Sequence, residues 1–69
     1  MKISARNQLK GKVKKMVKGD VNTEIVIELP GGQEIISVIT TSSAQKLDLK
    51  EEKPCYAIIK ASSVMVGID

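Results

Sequence analysis

The stretch Val21-Asn22-Thr23-Glu24-Ile25-Val26-Ile27-Glu28-Leu29-Pro30-Gly31-Gly32 decides the fold of this chain. Val21, Thr23, Ile25, Ile27 and Leu29 fall on one side of an extended backbone, and Asn22, Glu24 and Glu28 on the other. Successive side chains of a strand point to opposite faces, so this period of two describes a strand with one apolar and one wet face. β-Branched residues dominate the apolar side, as suits a pleated, half-buried surface. Val26 interrupts the polar side, so the outer face is expected to meet something apolar, such as another subunit. Pro30-Gly31-Gly32 ends the pattern. Glycine takes positive φ at little steric cost, and a hairpin into the next strand is expected.

Working outward, Gly19-Asp20 is a turn signal on the N-terminal side. Before it, Leu9, Gly11 and Val13 share one face, and Lys10, Lys12 and Lys14 share the other. The alternation slips at Lys15-Met16-Val17, where a β-bulge or a sharp bend is expected. On the C-terminal side, Glu34 to Thr40 reads as a third strand. Thr41 to Leu47 reads as a helix of at most about two turns, with Ser42 and Gln45 at capping-box spacing. Leu49 to Pro54 is a polar turn. Cys55, Ala57, Ile59 and Ala61 then alternate with Tyr56, Ile58 and Lys60, and a last strand is expected from about Ser63 to Ile68. The element order predicts an all-β domain over residues 1–69. Its expected form is an OB-like five-stranded Greek-key barrel with one short helix between strands 3 and 4. Other small barrels share that order.

With 69 residues, 42% of them hydrophobic, the chain buries only a modest core. Domains of this size often gain stability from disulfides, a metal or self-association. Cys55 is the only cysteine and there is no histidine, which removes an internal disulfide and a structural zinc tetrahedron. Direct coordination of a metal by protein side chains is not expected, and oligomerisation remains. No apolar run approaches the roughly 18 residues of a membrane span, and no signal-peptide core follows Met1. With one unpaired thiol, a reducing cytoplasm is the expected location and no membrane partner is expected.

The residues also restrict the chemistry. Without histidine, the usual base for a serine or cysteine nucleophile is missing. The carboxylates Glu24, Glu28, Glu34, Asp48, Glu51 and Glu52 are scattered over polar faces and turns, and no phosphate-cradling glycine motif is present. The chain reads as a binding protein and not as an enzyme. Five of its 11 cationic residues fall between Lys10 and Lys18. That run offers an alternative reading as an OB-like nucleic-acid-binding module, beside the simpler one of a solvated strand face. Single-strand binders stack bases on aromatic rings, however, and Tyr56 is the only aromatic residue, so a nucleic-acid partner is not favoured.

Three clusters combine small hydrogen-bond donors with a cation or a helix start: Ser4-Ala5-Arg6-Asn7, Thr40-Thr41-Ser42-Ser43 and Lys60-Ala61-Ser62-Ser63. A tetrahedral oxyanion requires hydroxyls, backbone N–H groups and one or two fixed positive charges. Each cluster also has an ordinary role open to it. Ser42 can cap its helix, Ser62 and Ser63 can be turn residues, and Arg6 can pair with a glutamate. On these residues alone, the reading is a small β-barrel with the means to bind an anion.

The same clusters carry a family resemblance. Ser4-Ala5-Arg6-Asn7-Gln8-Leu9-Lys10-Gly11, Ile39-Thr40 with Ser43 and Leu47, and Ile59-Lys60-Ala61-Ser62-Ser63-Val64-Met65 resemble the molbindins. These are the small molybdenum-pterin-binding, or Mop, proteins, whose TOBE-type module also serves as the molybdate-sensing domain of bacterial regulators and transport ATPases. The resemblance covers essentially the whole chain. It implies an OB-like fold, a homohexamer built as a trimer of dimers, and molybdate or tungstate bound between subunits for intracellular storage or homeostasis. It implies the bare oxyanion as ligand in spite of the pterin in the family name. By position, Ser4, Ala5 and Arg6 would contact the anion from the first strand. Thr40 and Ser43 would do so from the strand-to-helix junction, and Lys60, Ala61 and Ser62 from the end of the fourth strand. Asn7 and Ser63 would belong either to this site or to a second class of site. One departure stands out: where family members often carry Glu-Gly-Lys, this chain has Glu51-Glu52-Lys53, which predicts strain or an altered turn at Glu52.

Overall fold

The alternation around Ile25 places a strand in the middle of the sheet, and the rest of the chain winds about it. The computed structural model describes residues 1–69. The elements are β1 (Asn7–Lys18), β2 (Asn22–Glu28), β3 (Glu34–Thr40), the helix α1 (Thr41–Lys46), β4 (Pro54–Ile59) and a 3₁₀ turn at Ala61–Ser63. They form one four-stranded antiparallel sheet with the spatial order β3-β2-β1-β4. β1 is 12 residues long and serves two partners. Residues 7–12 pair with β4 and residues 12–18 with β2, overlapping only at Lys12. A long strand shared in this way curls the sheet into a half-barrel.

The register of β1 on β2 shifts between Val13 and Lys15, which makes Lys14 the extra residue. The bulge thus lies just before the expected Lys15–Val17 slip. It turns both Val13 and Met16 toward the core while Lys14 and Lys15 stay exposed. Val13 then pairs with the α1–β4 connection instead: its N–H donates to the Lys53 carbonyl at 3.0 Å, and the Glu52 N–H donates to the Val13 carbonyl at 2.7 Å. At Gly11 the strands come very close. A Cβ there would stand 2.5 Å from the Glu28 carbonyl oxygen, so glycine is required for the approach.

Val13, Ile25, Ile27 and Ala57 form the core, with Met16, Ile35, Ile39, Leu49 and Cys55 packed partly buried around it. Val26 is also buried, although it lies on the outer face between its register partners Lys15 and Ile36. The apolar residues of that face left open to solvent are Ile36 and Val38, on the edge strand β3, and Val17 of β1.

Two expectations are corrected here. The helix cap is Thr40, two residues before the expected Ser42. Its Oγ1 accepts from the Ser43 N–H at 3.1 Å, and Ser42 and Gln45 form no capping box. The helix begins at Thr41 as expected, and Thr41, its first residue, is drawn inward. The Thr41 hydroxyl donates to the Gly19 carbonyl at 2.7 Å, and the buried Thr23 hydroxyl lies 2.8 Å away as the donor that remains. The second correction concerns the last strand, since residues 64–69 pair with no strand of the chain. An alternating apolar segment becomes a strand only beside a free edge, and the 3₁₀ turn at Ala61–Ser63 leaves this segment off both edges of its own sheet.

Two stability predictions follow from these local features. Thr41→Val is expected to cost about 1–3 kcal/mol, because the Thr23 hydroxyl, 1% exposed, loses its acceptor. Urea unfolding would measure it, and an unchanged midpoint would refute the assignment. Glu52, where the family pattern suggested glycine, has φ +73°, the left-handed region that L side chains resist. Glu52→Gly is expected to stabilise the protein by roughly 0.5–1 kcal/mol. Relief of that strain outweighs the loss of an exposed ion pair with Lys12. A lower thermal midpoint in this variant would show that the turn is relaxed as it stands.

Candidate functional site

The pairing of β1 with β4 brings two of the three donor clusters together. Asn7 and Ile59 are the last register partners of that ladder, and the Asn7 side-chain amide donates to the Ile59 carbonyl at 3.2 Å. The segment just before β1 and the segment just after β4 are therefore held side by side. The Gln8 amide donates to the Ala5 carbonyl at 2.8 Å and fixes the bend through Ser4–Arg6. The result is an open depression of about 540 Å³ lined by Ser4, Ala5, Arg6, Lys60, Ala61, Ser62 and Ile3. Six of the eight principal residues expected from the sequence therefore share one concave surface. Ser4, Ala5 and Arg6 precede β1 and are not part of it.

The charge at this surface is uncompensated. Lys12 and Lys14 are held by Glu28, Glu34 and Glu52, and Lys53 by Asp48, but Arg6 and Lys60 take part in no ion pair. The pairing of Arg6 with a glutamate, one reading of the sequence, does not occur. The N–H groups of Ala61 and Ser62 have no acceptor within the chain. Two free cations, two hydroxyls and two free N–H groups thus border one depression. That donor set fits an oxyanion and offers nothing that would ligate a bare cation. No group of three or more His, Cys, Asp or Glu side chains occurs anywhere in the structure.

Thr40 and Ser43 lie elsewhere. They border no part of the depression, and the Thr40 hydroxyl donates to the Ser43 hydroxyl at 2.8 Å at the start of α1. Asn7 acts as scaffold through its bond to Ile59, and the Ser63 N–H donates to the Lys60 carbonyl at 2.9 Å, closing the 3₁₀ turn. Sequence reasoning missed the roles of Ile3 and Gln8. Gln8 sat inside the quoted Ser4–Gly11 pattern, but only the fold shows that its amide reaches back to Ala5.

The run Lys10–Lys18 is partly neutralised on the outer face. Glu34 bonds the Lys14 ammonium and raises its pKa, with Glu28 adding to the effect. A raised lysine contributes stability in full below the ordinary lysine range, and that contribution is lost as pH rises through the raised value. Burial pushes the Cys55 thiol up, which keeps it protonated and weakly nucleophilic at neutral pH.

A half-barrel with paired donor clusters at the ends of two neighbouring strands defines a small anion-binding β domain. The TOBE domain family matches residues 3–66, and the chain belongs to that family, in its molybdenum-pterin-binding (Mop) branch. Over all 69 residues it is 49% identical to the "Probable molybdenum-pterin-binding protein" of Haemophilus influenzae, covering 100% of both chains. The solved structure of MopII from Clostridium pasteurianum superposes with a TM-score of 0.92 at 45% identity, covering 97% of this chain and 100% of that one. ModG, described as a cytoplasmic molybdate-binding protein and solved with molybdate bound, gives a TM-score of 0.94 at 42% identity, covering 100% of this chain and 49% of ModG. The family is one of binding proteins and not a known enzyme family. No helix of this chain is long and apolar enough to cross a membrane.

Proposed function

We propose that this chain binds molybdate, and tungstate as its near-isostere, for molybdenum storage or homeostasis in the cytoplasm. The observation that carries the reading is the convergence of two unpaired cations, Arg6 and Lys60, with Ser4 and Ser62 at one depression. The names of the relatives and the molybdate-bound neighbour support it. Molybdate and sulfate share a shape and a double negative charge, so charge alone does not separate them. Mo–O bonds are longer than S–O bonds. A rigid set of N–H and O–H donors spaced for the larger anion holds sulfate at stretched distances, and hydrogen bonds weaken with stretching.

One chain leaves the anion exposed, because the depression is larger than a tetrahedral oxyanion and Ser4, Arg6, Lys60 and Ser62 all face solvent. Thr40 and Ser43, far from it in the same chain, are the natural complement from a neighbouring copy. The proposed assembly is a homohexamer, a trimer of dimers, with the anion between subunits. A ligand that binds only the assembled form then favours assembly by mass action.

Titration calorimetry with molybdate, sulfate and single-stranded RNA tests this reading. Tight molybdate binding with weak sulfate binding is expected. RNA binding with a steep salt dependence and no molybdate heat would overturn it in favour of a nucleic-acid module using the lysine run. Native mass spectrometry at micromolar concentration is expected to show the oligomer, and a monomer would contradict the shared site.

A further inference from the structure

We propose that Gln8 is a positioning residue that sets the selectivity of the depression for molybdate over sulfate, by holding Ser4–Arg6 at a fixed distance from Lys60–Ser62. The two walls of the depression are built differently. The Lys60–Ser62 wall is fixed by its own backbone: the Ser63 N–H donates to the Lys60 carbonyl at 2.9 Å, and the Val64 N–H to the Ala61 carbonyl at 3.2 Å. The Ser4–Arg6 wall has no such support. Residues 1–6 lie in no strand or helix and take part in no backbone–backbone hydrogen bond and no ion pair. Their one hydrogen bond is the one the Ala5 carbonyl accepts from the Gln8 Nε2 amide at 2.8 Å.

Asn7 and Gln8 leave β1 on opposite faces and divide the work between them. The Asn7 amide bonds the Ile59 carbonyl and fixes where the two walls begin, a point the β1–β4 ladder also holds. The Gln8 amide fixes the angle at which the first wall leaves the strand, and nothing else in the chain does. Gln8 is exposed, so its side chain is not part of the core. Its length matters: asparagine is one methylene shorter, and a bond of 2.8 Å stretched by more than an ångström is no longer a hydrogen bond. Selectivity follows from the fixed spacing. A wall held for the larger anion leaves sulfate with stretched bonds, whereas a loose wall closes on either anion. A loose wall must also be ordered on binding, which costs conformational entropy and weakens the anion it was spaced for. The inference rests on the oxyanion reading proposed above and on its spacing argument.

The experiment compares the full chain with Gln8→Met, which keeps the length but cannot donate, and Gln8→Asn, which keeps the amide on a shorter stem. Titration calorimetry reads the affinity for molybdate, and molybdate titrations into sulfate-loaded protein read the affinity for sulfate. NMR order parameters of the Ala5 and Ala61 amides, taken without anion, read the two walls separately, and the thermal midpoint checks the fold. In both variants molybdate binding is expected to weaken roughly 3- to 10-fold, the affinity equivalent of one net hydrogen bond, with sulfate binding unchanged. The molybdate-to-sulfate ratio falls by the same factor. The Ala5 order parameter is expected to drop from about 0.85 toward 0.6 while Ala61 stays rigid, at an unchanged thermal midpoint. Equal losses for the two anions, or losses that follow a lowered midpoint, would make Gln8 a merely structural residue and overturn the proposal. Full selectivity in both variants would overturn it too, with molybdate binding left standing. A parent chain that does not prefer molybdate would overturn the oxyanion reading itself and the proposal with it.

Discussion

Replacing Arg6 by alanine is expected to weaken molybdate binding roughly 10- to 100-fold while leaving the fold intact. Charge-assisted hydrogen bonds contribute about 1.5–3 kcal/mol, which corresponds to that range of affinity. Arg6 is exposed and unpaired, so nothing within the chain depends on its charge. A surface substitution of this kind shifts stability by no more than about 0.5 kcal/mol. Arg6→Lys separates charge from geometry: it keeps the charge but loses the planar fork, and an intermediate affinity is expected. Titration calorimetry reads both variants, with thermal unfolding as the control. An alanine variant that binds molybdate as tightly as the parent would remove Arg6 from the site.

Ile25→Ala is expected to cost about 2–5 kcal/mol, the usual range for removing a large aliphatic side chain from a core. Ile25 is 2% exposed and packs with Val13, Ile27 and Ala57 on the central strand β2. A domain of this length has roughly 3–10 kcal/mol of stability in total, at about 0.05–0.15 kcal/mol per residue. The variant is therefore expected to lose a large share of its stability. Ile36→Ala, on the outer face of β3 and 56% exposed, removes the same kind of side chain from a solvent-facing position and is the contrast within one sheet. Urea denaturation of the two would show whether burial, and not residue type, sets the cost. Equal losses would contradict the assignment of the inner face as the core.

The same contrast explains what was legible before folding. The strands β1 to β4 were readable because an extended chain alternates its side chains mechanically, and Val21–Leu29 and Cys55–Lys60 show that alternation plainly. Glu52 was readable as a special position through its departure from the family pattern, whereas Gly11 stood in that pattern with no role of its own. The structure supplied the reasons, a positive φ at Glu52 and a close approach to Glu28 at Gly11. Thr40 was not readable as the cap, because the choice between Thr40 and Ser42 depends on Thr41 reaching Gly19 and Thr23 across the fold.

The segment Val64–Ile68 shows the limit most clearly. Its residues have strand character, but pairing is a property of two edges, and only the folded sheet shows that the segment lies along neither edge of its own domain. The site divides along the same line. Composition alone excluded a disulfide and a structural zinc, since both need ligands the chain does not contain. Three clusters of donors and cations were equally visible in the sequence. Which of them meet was decided by the register of β1 on β4, since pairing Asn7 with Ile59 joins Ser4–Arg6 to Lys60–Ser62 and leaves Thr40 and Ser43 at the far junction. Residue chemistry is local and can be read in one dimension, whereas convergence depends on long-range pairing, which exists only in the tertiary structure.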